Sequence, residues 1–218
     1  MATPESHLSP DFVAAQAAKT IALQMLEERG RGAVLVGVAR VDAALEHLLQ
    51  AVLAPATAKN DGLFLPDRPL GSIGAKVVLA RRLGLIDAGV EKALNALRKL
   101  RNAFAHSAES ASLSDPVHSS RLAEVYVIAR ANPLWATLET VLAAQPPTAH
   151  APLDQALRDY ILLITILVAF LEATAQQLKP IQPPVVMGLS GILRPEYLAE
   201  RSADLPSTSE DLYPALAD

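Results

Sequence analysis

The sequence predicts an all-α fold. Three observations point to it. Apolar residues recur every three or four positions through most of the chain. Ala and Leu, both strong helix formers, dominate a composition that is 51% hydrophobic but only 4% aromatic. No segment alternates apolar and polar residues for the length of a strand, and short β-branched runs such as Val34 to Val38 sit inside longer helical periods. At 218 residues the chain can bury one substantial core.

The elements follow in order. A first helix is expected over residues 9–29, where Pro10 and Asp11 suit the first turn and Phe12, Ala15, Ala18, Ala22 and Met25 keep the helical period. Gly30 and Gly32 punctuate it. A second helix, 32–54, carries Val34, Val38, Val41, Leu45 and Leu48 on one face, and Pro55 ends it. Residues 56–69 form a loop whose Leu63, Phe64 and Leu65 are expected to tuck onto the core. Ser72 caps a third helix that Gly84 stops, and Asp87 caps a fourth over 88–106 with the stripe Leu94, Leu97, Leu100 and Phe104. Further helices are expected over 115–131 and 134–144, separated by Asn132-Pro133. A Pro-rich linker at 145–152 precedes the most apolar helix, 153–179, whose hydrophobic girth exceeds one face. Such a helix is central to a bundle or shared with a second copy. The expected layout is a flexible N-terminus at 1–9, a helical domain at 10–180 and a proline-rich, acidic, extended tail at 181–218.

Composition excludes several chemistries. There is no cysteine, so disulfides and thiolate metal sites are ruled out. The histidines His7, His47, His106, His118 and His150 lie far apart without a metal-ligand spacing, so neither a metal nor another cofactor is implied. Residues 1–10 lack the pattern of a secretory signal, and the apolar run 160–171, closed by Glu172, is too short to span a bilayer. The expected location is the cytoplasm. A net charge of −4 argues against a dedicated duplex-DNA binder. The charge is uneven, however. Lys76, Arg81, Arg82, Lys92, Arg98, Lys99 and Arg101 meet only Asp87 and Glu91, while the tail holds Glu196, Glu200, Asp204, Glu210, Asp211 and Asp218. That basic face can attract phosphate or the tail.

The end of the fourth helix carries the most chemistry. At roughly 100° per residue, Asn95, Arg98, Asn102 and His106 form a second stripe beside the apolar one, with Arg101 to its other side. Arg presents a forked donor set to a phosphate, and His can take a proton from a ribose 2′-hydroxyl without a metal. Arg98, Lys99 and Arg101 are the candidate phosphate or nucleic-acid contacts; Arg101, Asn102 and His106 are the candidate catalytic set. The structural alternative is that these cations favour the helix C-terminus and His106 caps carbonyls.

Arg101-Asn102-Ala103-Phe104-Ala105-His106 resembles the Arg-Asn-x-x-x-His signature of the HEPN superfamily, and the chain is most similar to its mannitol-operon repressor (MtlR) family. Two further blocks carry the resemblance. One is Arg31-Gly32-Ala33-Val34-Leu35 leading into Leu45-Glu46-His47-Leu48-Leu49. The other is Pro69-Leu70-Gly71-Ser72-Ile73-Gly74-Ala75-Lys76 followed by Leu83-Gly84-Leu85-Ile86. Together they cover roughly residues 20–110. The resemblance implies a helical bundle that pairs as a homodimer, with the Arg and His near the subunit junction. It also implies one of two activities. MtlR-like members are negative regulators of gene expression that act through protein partners without a recognised DNA-binding fold. Other HEPN proteins are metal-independent ribonucleases, in which Arg101 and His106 would cut RNA with Asn102 assisting.

Other signals have plainer readings. Residues 76–101 can be drawn as a helix–turn–helix, but Leu94, Leu97, Leu100 and Phe104 need burial. Gly71 to Lys76 has the flavour of a phosphate loop but lacks the spacing and the preceding strand, and reads as a capped turn. Asp42 and Glu46 are expected on a solvated face or paired with Arg40. His47 reads as structural, and Tyr126 and Trp135 as packing anchors.

Overall fold

The computed structural model describes residues 18, 20–26, 28, 30–56, 62–106, 111–144, 154–183, 185–189 and 191–193. The N-terminal segment 1–9, the start of the first expected helix, the linker 145–152 and the acidic residues from Glu196 onward lie outside them. The chain divides into two compact units, Met1–Lys179 and Pro180–Asp218.

The first unit is all-helical among its described residues. Residues 20–26 are helical. After them come α1 (Arg31–Val52), a 3₁₀ turn (Gly62–Phe64), α2 (Ile73–Arg82), α3 (Ala88–His106), α4 (Pro116–Arg130), α5 (Pro133–Ala143) and α6 (Gln155–Ala175). The caps explain the boundaries. Ser72 Oγ accepts from the Ala75 N–H at 3.2 Å, and an Asp87 carboxylate oxygen accepts from Val90 N–H at 2.8 Å. Asn132 and Asp154 accept from Leu134 and Ala156 N–H, both at 2.9 Å. Gly84 reverses the chain after α2 at φ +72°, where a side chain would be strained.

The largest helix contact joins α1 to α6, and α3 packs on α1, α2 and α4. Every residue from Asp159 to Ala169 is buried, so α6 is the all-round apolar centre that its composition implies. Tyr160 on α6 donates to the Val34 carbonyl of α1 at 2.9 Å. Asp159, only 5% exposed, accepts from Arg130 at 2.5 Å and from Gln155 at 2.8 Å. The Arg130 guanidinium also lies 5.6 Å and 5.7 Å from the ring centres of Tyr126 and Trp135. Burial, then the Asp159 charge, raises the Tyr126 pKa above the ordinary tyrosine value, and burial does the same to Tyr160.

Three local expectations are corrected. Phe64 reaches the core, but Leu65 is 53% exposed because the chain turns at Pro66 to bring Gly71 against the Leu65 carbonyl. Asp42 and Glu46 do not pair with Arg40, which donates to Gln24 Oε1 instead. They pair with Lys76, as described below. In the second unit, the strand-free reading fails: Val186–Gly188 (β1) pairs antiparallel with Gly191–Leu193 (β2). The β-branched run at Val185-Val186 favours the strand, and Gly191, which opens β2 opposite Gly188, adopts φ +133°.

Candidate functional site

Three of the candidate residues on α3 meet elements far away in sequence. Arg98, Arg101 and Asn102 line a cleft of about 480 Å³, closed by α1 on one side and the start of α2 on the other. From α1 come Asp42 and Glu46; from the α2 start come Ser72, Gly74 and Lys76.

The electrostatics of this cleft are layered. Lys76 is 3% exposed, and its ammonium donates to Asp42 Oδ1 at 2.9 Å and Glu46 Oε2 at 2.7 Å. It also lies 6.0 Å from the centre of the Phe64 ring. A buried ammonium needs such partners, and the one-turn spacing of Asp42 and Glu46 delivers both from one helix face. The two arginines are not so matched. Among the described residues neither Arg98 nor Arg101 has a carboxylate partner, and Arg98 Nε is buried with no hydrogen bond. Arg98 runs close past Gly74, where an added Cβ would stand 3.6 Å from Arg98 Cδ.

The first turn of α2 adds donors. A helix leaves its first N–H groups without intrahelical partners. Ser72 takes that of Ala75, which leaves Ile73 and Gly74 with theirs on the wall of the cleft. Two guanidiniums, an amide and a helix N-terminus suit an oxyanion.

The other two candidates sit elsewhere. Lys99 lines a separate cleft between α3 and α4 with Asn95, Lys92, Arg121 and Glu124, and Lys92 pairs with Glu124. His106 is the exposed last residue of α3 and does not line the arginine cleft. Arg31 donates to the neighbouring Ala105 carbonyl at 2.8 Å and so ties this helix end to the start of α1. Five residues on a helix turn through roughly 140° beyond one full circle, so Arg101 and His106 diverge around the axis although they are close along it. Three other residues singled out in the sequence make contacts away from this cleft. His47 contacts Glu172 at 2.6 Å, and the rings of Tyr126 and Trp135 meet edge to face at 6.2 Å. A further groove, about 400 Å³ and mainly apolar, runs between α3, α4 and α6, with Ile128 and Phe170 half-exposed along it.

Sequence reasoning missed the contribution of Asp42, Glu46, Ser72, Gly74 and Lys76 to the arginine cleft. The signals existed separately, as the carboxylate pair and as the Gly-Ser-Ile-Gly-Ala-Lys turn, but nothing local joins them. Among the described residues, no group of three His, Asp or Glu is placed to hold a metal ion, and no helix is long and apolar enough to cross a membrane. Comparison with protein-family models finds no match, and no curated protein or solved structure is significantly similar to the chain.

Proposed function

We propose that the chain is a regulatory protein of the MtlR-like kind: a cytoplasmic homodimer that lowers gene expression through contacts with protein partners. The three sequence blocks around Arg31, Ser72 and Arg101 support the kinship. The observation that favours regulation over RNA cleavage is the division of the motif: Arg101 and Asn102 open into one cleft, and His106 lies outside it. A general base must come within about 3 Å of the proton that it removes, while the arginine holds the same phosphodiester. Direct reading of DNA is disfavoured on similar grounds. The apolar stripe of α3 is spent in the core, and its basic residues are split between two clefts.

In the source cell, loss of the chain is expected to raise a defined set of transcripts; unaltered transcript levels contradict the reading.

A second reading, a metal-independent endoribonuclease, is favoured by the exposure of Arg101, Asn102 and His106 at one helix end. Pairing there with a second copy would let His106 of one chain approach Arg101 of the other. Labelled RNA incubated in chelator with the native chain and with His106→Ala decides between the two. Uncut RNA in both reactions agrees with regulation, and cutting by the native chain alone replaces it with the nuclease.

A further inference from the structure

We infer that the cleft between α1, the start of α2 and α3 binds a phosphate-bearing small molecule through Arg98, Arg101, Asn102 and the first-turn N–H groups of α2. The proposal goes beyond the regulatory reading and does not depend on it.

Charge balance comes first. Three cationic and two anionic side chains line the cleft. Both carboxylates, Asp42 and Glu46, are engaged by Lys76 at 2.9 Å and 2.7 Å, which limits their repulsion of an incoming anion. The net surplus is one positive charge, because the trio of Lys76, Asp42 and Glu46 is itself one charge negative, and it is presented by Arg98 and Arg101. Their forked donors match a pair of phosphate oxygens.

Placement comes second. The Arg98 side chain lies against the first turn of α2 at Gly74, so a guanidinium and the positive end of a ten-residue helix face the same space. Ser72 consumes one N–H and leaves those of Ile73 and Gly74 for the ligand. Asn102 can orient an ester or hydroxyl oxygen.

Size and exclusion come third. About 480 Å³ lies within the range of small-molecule sites. A track for an RNA strand would continue onto further cations, but Lys99 faces another cleft.

The test is calorimetric titration of the full chain with inorganic phosphate, ribose 5-phosphate, ribose, and an RNA oligonucleotide lacking terminal phosphates. Inorganic phosphate and ribose 5-phosphate are expected to bind at one site per chain, and ribose is not. Arg101→Gln, at an exposed position, should weaken binding about tenfold or more, as expected for one lost charged hydrogen bond. Gly74→Asp places a carboxylate beside Arg98 and should abolish binding, while the thermal unfolding midpoint stays near that of the parent. No binding of either phosphate at millimolar concentration overturns the proposal. So does binding indifferent to both variants, or binding of the oligonucleotide alone.

Discussion

Gly37 lies where α1 crosses α6, and replacing it with alanine tests how tightly that contact is built. In an unobstructed helix the change stabilises by about 0.5–1 kcal/mol, because glycine loses more backbone freedom on folding. Here the new Cβ would stand 2.8 Å from Tyr160 Oη, 2.9 Å from Met25 Cε and 3.0 Å from Tyr160 Cε1. The methionine tip can move aside. Tyr160 cannot easily do so: it is fully buried, and its hydroxyl is held by the Val34 carbonyl. Overpacking of this kind costs about 1–3 kcal/mol, so Gly37→Ala should be destabilised by roughly 0.5–2 kcal/mol net. Tyr160→Phe alone should lose about 0.5–1.5 kcal/mol with its hydrogen bond. It also removes the oxygen nearest the new methyl group, so the double variant should cost about 1 kcal/mol less than the sum of the singles. Urea unfolding followed by far-ultraviolet circular dichroism measures all four proteins. A Gly37→Ala chain as stable as the parent, or strict additivity in the cycle, would refute the reasoning.

Three further outcomes follow from the same geometry. Lys76→Met strands two carboxylates that are each about one-third exposed, so it should cost about 1–3 kcal/mol, less than a fully buried pair would; adding Asp42→Asn and Glu46→Gln should recover part of the loss in the same urea assay. Tyr126 and Tyr160 hold their protons more tightly folded than unfolded, so their contribution is intact below pH 10 and is lost as pH rises beyond it. Each contributes a slope of at most roughly 1.4 kcal/mol per pH unit, and the Tyr126→Phe/Tyr160→Phe chain should show a shallower decline in urea midpoint between pH 10 and 11; parallel declines would count against this. Ser72→Ala should lower stability by about 1 kcal/mol through the lost α2 cap, whereas Ser72→Asp should retain most of it, as read by thermal unfolding.

Helix positions were legible because their determinants are local. Asp87 at a cap, the stripe Leu94, Leu97, Leu100 and Phe104, and the burial of that stripe all follow from residues within one helix. The same holds for α6, whose unbroken apolar girth specifies a central position. The β1–β2 hairpin escaped because three-residue strands are too short to show a period, and prolines around Val185 and Val186 read as an extended segment. The site was only half legible. Helical projection placed Arg98 and Asn102 on one stripe, but it also placed Asn95 and His106 there, and only the packed neighbours divide that stripe. Asp42 and Glu46 had a recognisable spacing but no visible partner, since Lys76 lies 34 and 30 positions away. Long-range pairing of that kind leaves no periodic trace.

The most direct test of the regulatory account is transcript abundance in source cells lacking the chain and complemented with either the native form or His106→Ala. The account predicts that transcripts raised by the loss return to the same low level with both. Restoration by the native chain alone, with His106→Ala folded and equally abundant, would contradict it and assign the function to cleavage at His106.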